Sequence, residues 1–310
     1  MDHRELRRTL DSGTDILSKV AQLAKRATAR TLERRQSVAE VSKATIQLSI
    51  WPESTRGVPN GVLRSALFGA IRKGPRRYVE REQVHSLEGI RIIYTGARLD
   101  QGDLDVWETV LHVARLQALG NECCVTAYQL LKLLGKTDTG KNRSTLDHRL
   151  SRMKATGVDV QIGRYGYEGS LIDVVYRDIE TRKYIIQLNP KLRALFEKDQ
   201  WTAVDWNVRH ELDGRPLAQW LHGFFASHAK PFPYTVKKLH ALCGSENPDT
   251  HGFKRDVRKA LDAVSAASTK HGQLFIADIR DDLVYVKKTP SNSQRRHLVK
   301  KAMNQINGRI

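Results

Sequence analysis

The sequence predicts an α+β chain in which one unit, a short helix, a tight turn, a second helix and a small β-sheet, occurs twice. Three observations carry this. Thr126 and Gly135 frame one short apolar helix, and Thr235 and Gly244 frame another of equal length, with Leu130 and Leu239 each four residues after the threonine. Beyond each glycine an apolar stripe recurs at helical spacing: Leu146, Leu150 and Met153 after the first, Val257, Leu261 and Val264 after the second. A two-residue loop insertion brings the two stripes into register. Strand-like runs follow each stripe. A helix pair closed by a β-hairpin is the winged helix-turn-helix unit, here duplicated in tandem.

The elements divide into four segments. Residues 1–60 form a flexible, partly helical N-terminal extension and linker. Leu6, Leu10, Ile16, Leu17, Val20 and Leu23 give it scattered apolar support, and Pro52, Gly57 and Pro59 mark its end as linker. Residues 61–205 form the first winged-helix domain. A short helix is expected over Val62–Ile71 and a strand over Arg91–Thr95. Asp103 then caps an amphipathic helix that buries Val106, Trp107, Val110 and Leu111. Thr126 caps the helix Ala127–Leu134, which Gly135 ends in a left-handed conformation. The second helix runs from about Lys141 to Gly157, before strands Val158–Ile162, Leu171–Ile179 and Lys183–Leu188. Residues 206–290 repeat the pattern as the second winged-helix domain, with helix Pro216–His228 and strands Gln273–Ile279 and Leu283–Lys287. Residues 291–310 are a basic tail expected to lack regular structure; seven Lys or Arg and no acid follow Val286.

Lys and Arg number 52 against 34 Asp and Glu, a net charge of +18 over 310 residues. Such a field attracts phosphates and steers association with nucleic acid. Cys123, Cys124 and Cys243 suit neither a disulfide framework nor a Cys-x-x-Cys zinc site. With no secretory signal and no apolar run long enough to span a bilayer, the expected setting is the cytoplasm, with no membrane partner.

The second helix of each unit is expected in a major groove of double-stranded DNA, because that groove admits an α-helix. The first stripe leaves Lys141, Ser144, Thr145, His148 and Arg152 on the opposite face, with Asn142 and Arg143 near the helix start. The second leaves Arg255, Arg258 and Lys259 opposite, with Lys254 flanking. Arg bonds bidentately to guanine and Asn to adenine, so these helices can read bases as well as grip phosphates. Two wing tips are expected, at 180–183 and 280–282. Arg182 in the first suits a phosphate, whereas Asp281 and Asp282 make the second acidic.

No catalytic, metal or cofactor site is expected. Gly135–Asn142 nearly matches the phosphate-binding pattern G-x-x-x-x-G-K-[ST], but Asn142 stands where the Mg²⁺-binding hydroxyl belongs. A helix rather than a buried strand precedes it, so the segment reads as the turn of the first helix-turn-helix. The histidines form no metal pair and no nucleophile–base set, and carboxylates are scattered. Gln47-Leu48-Ser49-Ile50-Trp51 is a different kind of element. It is an extended run ending in two large apolar side chains, suited to docking into a preformed pocket.

Tyr94–Trp107, Ala127–Asn142 and Leu217–Phe224 closely resemble the TrfA family of plasmid replication initiators, and the likeness extends from about residue 45 to about 290. The resemblance implies tandem winged helices that bind directly repeated origin sites (iterons). It also implies melting of an adjacent AT-rich element, retention of one of its single strands, and recruitment of host machinery. That machinery includes the replicative helicase, the host initiator protein and the sliding clamp. Monomers would bind the origin, and self-association into dimers would restrain copy number. The clamp motif of the family has the form Q-L-S-L-F, which Gln47–Trp51 matches with Ile and Trp in the last two places. The residues alone leave open a transcriptional repressor of the same fold. Such a repressor has no use for Gln47–Trp51 or for opened DNA.

Overall fold

Apolar side chains gather in two cores, one ending at Val204 and the other opening at Val208. The coordinates are a computed structural model that describes residues 52–307 apart from Lys73, 117–121, Ile179, Arg182 and Lys198.

The first half opens with strand β1 (Thr55–Pro59), one helical turn α1 (Asn60–Leu63) and strands β2 (Phe68–Gly69), β3 (Tyr78–Gln83), β4 (Ile90–Ala97) and β5 (Leu99–Asp100). Helix α2 (Gln101–Ala114) follows, then β6 (Glu122–Thr126), α3 (Ala127–Leu133) and α4 (Gly140–Lys154). Strands β7 (Gly157–Ile162), β8 (Tyr165–Gly169), β9 (Val174–Asp178) and β10 (Lys183–Gln187) lead through a 3-10 helix (Pro190–Phe196) to β11 (Trp201–Asp205). Helix α2 is the centrepiece of this core. Its Trp107 has no exposed surface, and the indole nitrogen donates to the Leu171 carbonyl at 3.1 Å, so the buried ring leaves no polar atom unpaired.

Helix α5 (Trp206–Glu211) connects to the second half. There α6 (Pro216–Ala226), β12 (Tyr234–Thr235), α7 (Val236–Leu242), α8 (Thr250–Lys270), β13 (Phe275–Arg280) and β14 (Leu283–Lys288) follow in order, before α9 (Asn292–Asn307). Each half contains a unit of the same topology. In each, the strand before the helix-turn-helix pairs with the last strand of the hairpin, giving orders β6-β10-β9 and β12-β14-β13. Two winged-helix units therefore stand in tandem, as the sequence predicts.

Several sequence expectations are corrected. Residues 55–59, read as linker, form β1, which pairs antiparallel with β11 from Thr55↔Asp205 to Pro59↔Trp201 and buries Val58 completely. The Val62–Ile71 helix shortens to one turn, because Phe68 and Gly69 pair with Leu99 and Asp100 instead. The run Val158–Ile162 is not a wing strand: β7 joins β3, β4 and β8 in a separate four-stranded sheet. The cap of α2 is Asp100 rather than Asp103. Asp103 occupies the third helical position, and each carboxylate accepts from the other's backbone N–H at 2.9 Å. Beyond Ser291 the tail is helical. The Ser291 hydroxyl accepts from the Gln294 N–H, the Gln294 amide oxygen accepts from the Ser291 N–H at 3.1 Å, and this reciprocal cap starts α9.

Candidate nucleic-acid interface

The two helix-turn-helix units are built by the same local chemistry. The Thr126 hydroxyl accepts from the Gln129 N–H at 3.1 Å, and the Thr235 hydroxyl accepts from the Lys238 N–H at 3.1 Å. Each satisfies an N–H that a helix start leaves open. Gly135 and Gly244 leave their helices at φ +65° and +60°, conformations that suit glycine because it has no Cβ. The next residue's N–H reaches back to Leu131 O in the first unit and to His240 O in the second.

The first turn is stitched by its own polar side chains. Asn142 Nδ2 donates to Thr137 O at 2.8 Å, and Thr139 caps α4 through the Asn142 N–H. Arg143 grips Asp138 with two bonds of 2.6 and 2.7 Å, and that fork lowers the carboxyl pKa. The near-match to a phosphate-binding loop is thus a helix-turn-helix turn, preceded by α3.

On α4, Leu146, Leu150 and Met153 face the core, while Lys141, Ser144, Thr145 and His148 are exposed. Asn142 is half-buried in the turn, and Arg143 is exposed beside Asp138. Arg152 does not share the outer face as expected. It turns toward α2, where Nη1 donates to both oxygens of the fully buried Asp103 at 2.9 and 2.7 Å. Arg149 joins it, donating to Asp103 at 3.0 Å and to Asp100 at 2.6 Å. Against the cost of burial, Arg149 and Arg76 hold the Asp100 carboxyl below its usual range. Asp103, more deeply buried and beside a second carboxylate, is pushed upward.

On α8 the stripe Phe253, Val257, Leu261 and Val264 is buried. Arg255, Arg258 and Lys259 are exposed and make no ion pair among the described residues, whereas Lys254 pairs with Asp282 of the wing tip at 2.5 Å. That tip is a two-residue turn, Asp281-Asp282, with both φ positive (46° and 65°), the geometry of a tight hairpin. In the first wing the hairpin turns between Asp178 and Lys183, where Lys183 is exposed; Arg182 lies outside the described residues, as do Gln47, Leu48, Ser49, Ile50 and Trp51. Residues from both second helices, Lys141 and Thr145 on α4 and Lys259 and Ala263 on α8, line one cleft of about 1440 Å³. The pairings Arg143–Asp138 and Lys254–Asp282 are what the residue pattern missed, since only proximity in the fold shows which cation each carboxylate holds. Among the described residues no cluster of three His, Cys, Asp or Glu is arranged to hold a metal ion.

Paired helix-turn-helix units, each with a wing and a second helix carrying exposed cations, define a tandem winged-helix protein. The sequence profile of the family described as "TrfA protein" matches residues 7–288, and the chain belongs to that family. It is 27% identical over 285 residues to the plasmid replication initiator protein TrfA of Escherichia coli, a match covering 89% of this chain and 72% of that protein. It is 24% identical over 182 residues to RepFIB replication protein A of Escherichia coli, covering 56% of each. Among solved structures, domains 2 and 3 of RctB share the fold, with a TM-score of 0.51 at 14% identity, over 74% of this chain and 98% of that one.

Proposed function

We propose that this protein is a plasmid replication initiator that binds directly repeated origin sites, with α4 and α8 lying in successive major grooves on one face of the duplex. The observation that carries this reading is the duplication itself: both second helices bury an equivalent stripe and present exposed cations, Lys141 on one and Arg255, Arg258 and Lys259 on the other. Family membership supports the initiator role over that of a repressor. Two helices on one face of B-form DNA contact it about 10 base pairs apart. Ser144 and His148 complete the first reading face. Asn142 and Arg143 act at its N-terminal edge, and Arg182 and Lys183 add phosphate contacts from the first wing. Lys254 exchanges Asp282 for a phosphate. Arg152 supports the helix from inside.

On the same reading the protein opens an adjacent AT-rich element and holds one of its strands. Its partners are then the host helicase, the host initiator protein, the sliding clamp through Gln47–Trp51, and a second copy of itself. Footprinting on origin DNA tests the central claim. Protection should fall on direct repeats, and affinity should decline with salt by a log–log slope of about 0.9 per phosphate contacted. Equal affinity for repeats and for random duplex at matched salt refutes it. For the clamp, Leu48→Ala with Trp51→Ala should abolish clamp capture and preserve duplex binding; undiminished capture removes that part of the reading.

A further inference from the structure

The joint between the two winged helices carries a polar network at its centre, while Ala70 and Leu87 of the first half pack against the apolar core of the second. In the middle of that network is Arg209 on the connector α5, with 1% of its surface exposed. Its guanidinium donates to Asp105 Oδ1 at 2.5 Å, to Gln101 Oε1 at 3.1 Å and to the Gln101 carbonyl at 3.2 Å, all on α2. It also reaches the Gln219 carbonyl on α6 at 3.4 Å, and the Gln219 amide donates to the other Asp105 oxygen at 3.1 Å. One side chain thus pins the first helices of both winged helices to each other.

The rim of the joint grips both helix-turn-helix turns. The turn of the second unit is held by the first half: Arg98 Nη2 donates to Gly244 O at 3.0 Å, Arg98 Nη1 pairs with Glu246 at 3.1 Å, and the Ala70 N–H donates to Cys243 O at 2.7 Å. The turn of the first unit is held by the connector region. Trp206 Nε1 donates to Leu133 O at 3.3 Å, and Lys136, one residue past Gly135, pairs with Asp213. A buried ion pair adds little stability over an apolar contact of the same size, because desolvation offsets its attraction. Its hydrogen bonds are directional, however, so a polar joint resists the sliding and rotation that an apolar one permits. What this joint orients is the pair of turns from which α4 and α8 start.

We propose that Arg209 at the centre of the joint and Arg98 at its rim fix the phase between the two second helices, so that the protein measures the distance between two half-sites. The inference rests on the two-groove reading given above. Each base pair inserted between half-sites rotates the second by about 35° and moves it about 3.4 Å along the axis. A rigid pair of helices cannot follow both changes, whereas a loosened pair can. Arg209 and Arg98 act as positioning residues and need not touch DNA.

The experiment measures affinity by fluorescence anisotropy, using the full chain and duplexes that carry one origin repeat located by footprinting. One or two base pairs are inserted or deleted at the centre of that repeat. The wild-type chain should lose about tenfold or more in affinity on each altered duplex, since the second helix no longer adds its effective concentration to the first. Arg209→Met should flatten this profile, and Arg98→Ala, a change at the rim and outside both apolar cores, should flatten it in the same direction. Gln219→Leu provides a third variant if Arg209→Met does not fold. Spacing profiles as sharp as wild type in folded Arg98→Ala and Gln219→Leu overturn the proposal. A wild-type profile that is flat from the start overturns the two-groove reading instead.

Discussion

Arg152 and Asp103 meet as a partly buried ion pair between α4 and α2, with one guanidinium nitrogen donating to both oxygens of the buried carboxylate. The arginine therefore serves to seat α4 on α2. Arg152→Ala should lower unfolding stability by about 1–3 kcal/mol, because Asp103 keeps a buried charge with Arg149 as its remaining arginine. Denaturant melts measure this. Origin affinity of the folded fraction should stay within a few-fold of wild type. An unchanged melt together with lost DNA binding would return Arg152 to the groove.

Lys141 and Arg255 behave in the opposite way. Both are exposed, one near the start of each second helix, and neither supports a core. The double change Lys141→Ala/Arg255→Ala should abolish footprints on the repeats, with about 1–3 kcal/mol of binding lost per side chain. Circular dichroism and melting should be unaltered. Intact footprints in that variant would exclude α4 and α8 as the reading helices.

The equivalent glycines of the two turns should not tolerate alanine equally. Both sit at positive φ, which alone costs alanine about 1–2 kcal/mol. At Gly135 an added Cβ meets His210 at 3.5 Å, an ordinary contact. At Gly244 it lies 3.0 Å from the Ala66 Cβ and presses on the Arg98 guanidinium that holds this turn. Gly244→Ala should therefore cost about 1–3 kcal/mol beyond the backbone term, as overpacking does, and Gly135→Ala only the backbone term. Equal shifts in denaturation midpoint would contradict the tight packing of the second turn against the first half.

The repeat was legible because its signals are local. A capping threonine, a glycine at the helix end and a stripe recurring every three or four residues all act within a few residues. The elements misread are those whose partners are distant. Thr55–Pro59 looks like a linker until Trp201–Asp205 pairs with it. The run Val158–Ile162 has strand character wherever it goes, and only the pairing with Ile90–Thr95 takes it away from the wing. Arg152 misleads for another reason. A helical wheel gives the direction of the Cβ, whereas an arginine is long enough to curl back to a carboxylate on the neighbouring helix. The final helix was within reach of a local reading, since Ser291-x-x-Gln294 is a capping box hidden in a basic stretch.

Glu108 makes the interdomain joint sensitive to pH. Its side chain is fully buried on α2, 3.8 Å from Arg209 Nε, with Asp105 and Arg56 as the other charges that act on it, and neither oxygen has a hydrogen-bond partner. Burial pushes its pKa from 4.5 up to about 7, against the pull of Arg209. Between those values the folded chain retains a proton that the unfolded chain releases, so this group's contribution to stability is full below pH 4.5 and is lost as pH rises through 7. Glu108→Gln removes the titration while keeping the shape. The difference in unfolding free energy between variant and wild type should therefore be flat in acid, then grow in the variant's favour to about 3 kcal/mol by pH 8. Glu53, Asp100 and Asp138, whose pKa values are lowered, slope the other way in both proteins and cancel in the difference. Parallel stability curves for the two proteins from pH 4 to 8 would mean that Glu108 stays ionised in the joint, with Arg209 balancing it fully.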